Sequence, residues 1–109
     1  MKLGKATTTA RGFGLIEFKD DYGASCSIQQ SSNGERNCLW LGLNDANPQV
    51  LHGDARKLGV QTNANAGWVP YPIPKEVMLS TRMHLNEKQV KALIKTMQAW
   101  LDTGNLKHP

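Results

Sequence analysis

Ser80, Arg82 and His84 occupy alternate positions and are the residues of this chain best suited to hold a ligand. In an extended segment such residues share one face. Arg82 offers a planar fork of donors that fits phosphate or carboxylate. His84 can donate or accept a hydrogen bond. Ser31, Ser32 and Arg36 lie in a polar loop that converges on this face if the strands pair suitably. Arg82, His84, Ser31, Ser32 and Arg36 are therefore the candidate ligand-binding set. The arginines would make the phosphate contacts and the serines would supply hydroxyl donors. The plainer alternative is a solvated sheet face with an arginine–acid ion pair.

Two other groups could meet a partner. Lys88, Lys91 and Lys95 form one stripe that could follow a nucleic-acid backbone electrostatically, although a solvated helix face has the same pattern. Trp68 and Tyr71 sit on an extended segment with alternating prolines. There they are either contact anchors for a protein partner or staples that hold a loop.

The chemistry of catalysis finds little support. Cys26 and Cys38 are twelve positions apart and form no C-x-x-C pair. They are expected to be free, buried and small. Cys26 falls on the core side of its strand, which disfavours a thiolate. No G-x-S-x-G elbow and no G-x-x-x-x-G-K-[ST] phosphate loop occurs. Asp20 and Asp21 are adjacent, but a turn accounts for both. A zinc site drawn from Cys26, Cys38, His52 and His84 lacks ligand-like spacing. The expectation is a non-enzymatic protein without metal or cofactor.

The elements that position these residues read as follows. Residues 13–19 alternate, with Ile16 and Phe18 on one face and Glu17 and Lys19 on the other. Asp20-Asp21-Tyr22-Gly23 is a turn, and residues 25–30 alternate again, so the two strands form a hairpin. Residues 38–43 are apolar throughout and read as a central strand covered on both faces, or as one with a buried aromatic side, with Gly42 marking a bulge or close packing. A short helix is expected over 54–58, with Gly59 at its C-terminal end. Residues 68–74 should run extended. Residues 77–85 read as a strand with Val77, Leu79, Thr81, Met83 and Leu85 on its apolar face. The helix that follows has Asn86 as N-cap and Gln89 completing a capping box. Val90, Leu93, Ile94, Met97, Trp100 and Leu101 form its apolar stripe, and Gly104 ends it.

Together these elements predict an α+β fold: a small antiparallel sheet of about four strands with one long C-terminal amphipathic helix packed on it. Residues 1–11 read as a flexible basic arm and 12–106 as a single domain. The chain of 109 residues, 39% hydrophobic and 20% charged, is long enough for one core and too apolar for wholesale disorder. Its formal charge of +4 is mild, so the position of the charge matters more than its sum. No apolar run approaches the ~18 residues needed to span a bilayer. Lys2, Lys5 and Arg11 are followed by no apolar stretch, so no secretory leader is expected. A cytoplasmic location follows from these readings.

Several stretches in combination resemble a group of small hypothetical proteins encoded in bacteriophage and prophage genomes. They are Asp21-Tyr22-Gly23 leading to Cys26-Ser27-Ile28-Gln29 and Ser31-Ser32; Trp40-Leu41-Gly42; residues 67–74; and residues 80–85 with Gln89-Val90. The resemblance covers about residues 12 to 106. It implies an accessory protein acting in the cytoplasm of an infected bacterium, of the anti-CRISPR or nucleotide-sponge type, which antagonises a host defence system by occluding a host defence protein or sequestering a nucleotide signal. It carries over no catalytic residue. A nucleic-acid-binding module on the basic helix face is the alternative. The edge strand of a small sheet needs protection, which favours a homodimer or higher oligomer.

Overall fold

The computed structural model describes residues 3–31 and 36–106. The hairpin forms where the alternation places it. Strand β2 (Gly14–Lys19) pairs antiparallel with β3 (Ser25–Gln30), with Ile16 opposite Ile28 and Phe18 opposite Cys26. Asp20 closes the turn. Its Oδ1 accepts from the Tyr22 and Ala24 amides, each at 2.9 Å. Gly23 sits at φ 86°, a left-handed geometry that other residues rarely adopt. On the far side of β2 a short strand, β1 (Thr7–Thr8), adds a fifth member within the expected N-terminal arm.

Strand β4 (Cys38–Leu43) pairs with β3 and, on its other side, with β7 (Arg82–Asn86). The antiparallel order is β1-β2-β3-β4-β7. Period-2 alternation then sorts the side chains. Ile16, Phe18, Cys26, Ile28, Leu39, Leu41, Leu43, Met83 and Leu85 share one face. Glu17, Lys19, Ser25, Ser27, Gln29, Trp40, Arg82 and His84 share the other.

Strand β7 passes directly into helix α1 (Glu87–Thr103). Asn86 is both the last ladder residue, opposite Cys38, and the N-cap. Its side chain accepts from the Gln89 amide at 2.9 Å, and its own amide donates to Gln89 Oε1 at 3.0 Å. The capping box expected from the sequence is therefore complete. Gly104 ends the helix at φ 73°.

The α+β layout is as expected, but three details differ. The strand expected over 77–85 covers only Arg82–Asn86. Upstream, the Val77 amide turns back to the Pro74 carbonyl at 3.0 Å, so Ser80 stays off the ladder. The short helix over 54–58 is instead two single 3₁₀ turns, His52–Asp54 and Arg56–Leu58, the second ending at Gly59. Most consequentially, α1 is not packed across the sheet along its length. Ile94 is 62% exposed, Met97 53%, Trp100 51% and Leu101 69%. The strand feeds the helix with no loop between them.

The chain divides into two compact units. The first runs up to Asn44 and resumes at Arg82; the second is Asp45–Thr81. In the second, β5 (Gln49–Leu51) pairs with β6 (Trp68–Pro70), and Val50 lies opposite Val69. Val50, Ala55 and Val69 are buried together, with Val60 and Tyr71 against them. In the first, the buried residues among those described are Cys26 and Leu85 on the apolar face and Ser27 and Cys38 on the other; Ile16, Phe18, Ile28, Leu39, Leu41 and Leu43 are half-buried and Met83 is exposed. Both cysteines are free thiols.

Replacing Asn86 by Ala removes the side-chain half of the capping box. Urea unfolding should show a loss of about 1 kcal/mol, whereas an exposed control such as Lys95→Ala should stay within about 0.5 kcal/mol of the wild type.

Candidate functional site

The antiparallel register places Gln29, Trp40 and His84 in one cross-strand row, with Ser27, Gly42 and Arg82 in the next. The side chains of the polar face knit across these rows. The Trp40 and His84 rings lie with centroids 4.2 Å apart and planes inclined by 37°. The Arg82 guanidinium sits 5.5 Å from the Trp40 ring centroid, within cation–π range. Arg82 also donates to Gln29 Oε1 at 2.9 Å. His84 Nε2 and Ser31 Oγ are 2.8 Å apart, and the imidazole tautomer sets which of them donates. Three of the sequence-derived residues, Arg82, His84 and Ser31, are thus joined in one network. Ser80 is not part of it.

At the end of the sheet, where β3 departs and β7 runs into α1, a groove of about 510 Å³ opens. Its apolar floor is Phe13, Leu39, Leu85 and Val90. Ser31, Gln30 and Asn37 add hydroxyl and amide groups. Arg36 and Lys91 bring two positive charges, and Glu87 one negative charge. The continuity of β7 with α1 builds this site: Asn86 fixes the entry angle of the helix, so Leu85, Glu87, Val90 and Lys91 all reach the same groove. Gln30 is held from β2, its Oε1 accepting from the Gly14 amide at 2.7 Å. A side chain at Gly14 would collide with it, since a Cβ there would lie 2.6 Å from that oxygen. Phe13 is anchored through its amide to Thr9 Oγ1 at 3.1 Å, with the Arg11 guanidinium 5.6 Å from its ring centroid.

Ser31 belongs to both features and Arg36 to the groove, while Arg82 and His84 are not among the groove's lining residues. Ser32 lies outside the described residues. Of the lysine stripe, Lys91 lines the groove; Lys88 and Lys95 are exposed on α1. In the other unit, Trp68 is 65% exposed and Tyr71 packs against the Val50–Ala55–Val69 cluster. Sequence reasoning missed Trp40 and Gln29, which alternation puts on the polar face, though only the register brings them to Arg82 and His84. It also missed Phe13, Gln30 and Asn37, which converge from separate segments without any motif. Among the described residues, no three His, Cys, Asp or Glu side chains gather to hold a metal, and no helix is long and apolar enough to cross a membrane.

A double-mutant cycle on Arg82→Ala and Trp40→Leu should give a coupling of about 0.5–1 kcal/mol in urea unfolding. Additive losses would mean that the guanidinium is not held on the ring.

Compared with known proteins, the chain matches no family model, no curated protein sequence and no solved structure.

Proposed function

We propose that this chain is a non-enzymatic accessory binding protein of phage or prophage origin, and that it captures a small anionic aromatic ligand, a nucleotide, in the groove between Phe13, Arg36 and Lys91. The groove carries this reading. Its volume of about 510 Å³ falls within the roughly 300–1,000 Å³ of small-molecule sites. Its division into an apolar floor, neutral hydrogen-bonding groups and two cations matches the three parts of a nucleotide. The base takes the floor of Phe13, Leu39, Leu85 and Val90. The amides of Gln30 and Asn37 meet its polar edge. Arg36 supplies a forked donor for phosphate, and Lys91 a point charge beside it.

The role of the network on the polar face is positional. Gln29 and Trp40 hold Arg82; Trp40 also holds His84, and His84 in turn fixes Ser31 at the groove's rim. Capture by occupancy asks for no nucleophile or general base, in keeping with the absence of a catalytic motif in the sequence. The biological setting, removal of a host defence signal inside an infected bacterium, rests on the resemblance of residues 12 to 106 to phage-encoded proteins. Occlusion of a host protein through Trp68, Tyr71 and the lysines of α1 has less behind it, because Tyr71 packs against the core of its own unit.

Calorimetry with a panel of linear and cyclic nucleotides tests the proposal. At least one should bind with a stoichiometry of one per chain. Arg36→Ala and Lys91→Ala should each weaken it by tenfold or more, the loss of a charge-assisted hydrogen bond of about 1.5–3 kcal/mol. No heat from any nucleotide with a folded protein would remove the reading. Steeply salt-dependent binding of duplex DNA or RNA that is lost on replacing Lys88 and Lys95 would replace it with the nucleic-acid-binding alternative.

A further inference from the structure

An amphipathic helix is stable in water because its apolar stripe is covered. In α1 the stripe is well formed and its far half is bare. Ile94, Met97, Trp100 and Leu101 point the same way and are all more than half exposed, as is Met83 on β7. None of the helix's buried area makes up for this, since no residue of α1 is buried. The sheet has the same deficit. Its apolar face is half-buried at Ile16, Phe18, Ile28, Leu39 and Leu41. Beside this bare surface runs an open sheet edge: β7 is the last strand in the order, and nothing pairs with its outer side among the described residues.

We infer that a second copy of this chain docks along the apolar stripe of α1 and the adjoining edge of β7. Three observations favour a second copy over an unrelated protein. The first is charge. The chain carries +4, which opposes self-association unless the contact is neutral. This stripe has no charged residue, and Lys88, Lys91 and Lys95 lie on the opposite side of the helix.

The second is size. With ~100 Å² left in water by each large side chain that is about half exposed, Met83, Ile94, Met97, Trp100 and Leu101 together present ~500 Å². Leu93 and the half-buried Ile16, Phe18, Ile28 and Leu41, outside the groove, bring the surface towards the ~800 Å² per partner of a standard interface.

The third is self-complementarity. An edge strand can pair antiparallel with its own copy about a two-fold axis normal to the sheet. Such pairing keeps like faces together. Met83 and Leu85 of both copies fall on one side, with the two α1 stripes, and Arg82 and His84 of both fall on the other. The operation therefore closes the open edge and keeps the apolar faces of the two copies on one side. This inference stands on the exposed surface and not on the identity of the ligand, so it survives or fails separately from nucleotide capture.

The test is sedimentation or light scattering of the full chain over a range of concentrations. The expected mass is twice the 12.0 kDa of one chain, or a higher multiple. In Ile94→Asp/Met97→Asp the mass should fall to that of one chain, with helical circular dichroism retained. Lys95→Glu, on the opposite side of α1, should leave the assembly intact. Should the double variant lose its helix, Trp100→Gln and Leu101→Gln, each nearer the helix end, provide the same readout singly through a weakened association. A wild-type protein that stays monomeric at every concentration overturns the inference, as does an assembly that neither set of stripe variants weakens.

Discussion

Asn86 serves two masters at once. It is the last rung of the β4–β7 ladder and the cap of α1, so the strand becomes a helix with no residue between them. A loop would let α1 choose how to lie on the sheet; the direct junction does not. Glu87, Val90 and Lys91 at the start of the helix line one groove with Leu39 and Leu85. In the later turns Ile94, Met97, Trp100 and Leu101 are each more than half exposed. The groove and the bare stripe both follow a strand-to-helix junction whose first turn is capped by a pair of hydrogen bonds between Asn86 and Gln89.

The antiparallel register adds the second layer of organisation. Placing Trp40 opposite His84, one row from Arg82, converts three separate polar or amphipathic residues into a connected network. Aromatic and cation–π contacts between partly exposed groups are individually modest. Their value here is geometric, because each restricts the rotamers of the next and the chain ends at Ser31 on the groove's rim. A rim held in place loses less rotamer entropy when a ligand arrives.

How far the sequence reveals this depends on the range of the interaction. The β2–β3 hairpin is legible because its signals are local: alternation on both sides and Asp20 and Gly23 at the turn. The capping box of α1 is local in the same sense, lying within four residues. The strand ending at Asn86 is read five residues too long towards its N-terminus, since Leu79 and Thr81 keep the period while the prolines at 72 and 74 and the turn at Val77 break the ladder. The packing of α1 is misread for a different reason. Periodicity states that a helix has an apolar side, and it is silent on what covers that side. For the site, Arg82, His84 and Ser31 are found from residue type and parity. Phe13, Gln30 and Asn37 are not, because their meeting depends on which strands are neighbours.

The groove at the junction of β7 with α1 is proposed to take the phosphate of a nucleotide at Arg36 and Lys91. The most direct measurement is a map of backbone amide shifts in the nuclear magnetic resonance spectrum as a nucleoside monophosphate is added. The shifts should concentrate at Gln30, Ser31, Asn37, Leu39, Leu85 and Val90, while Val50 and Val69 of the other unit stay still. Shifts confined to the Lys88 and Lys95 face of α1, or no shifts at saturating ligand, would contradict it.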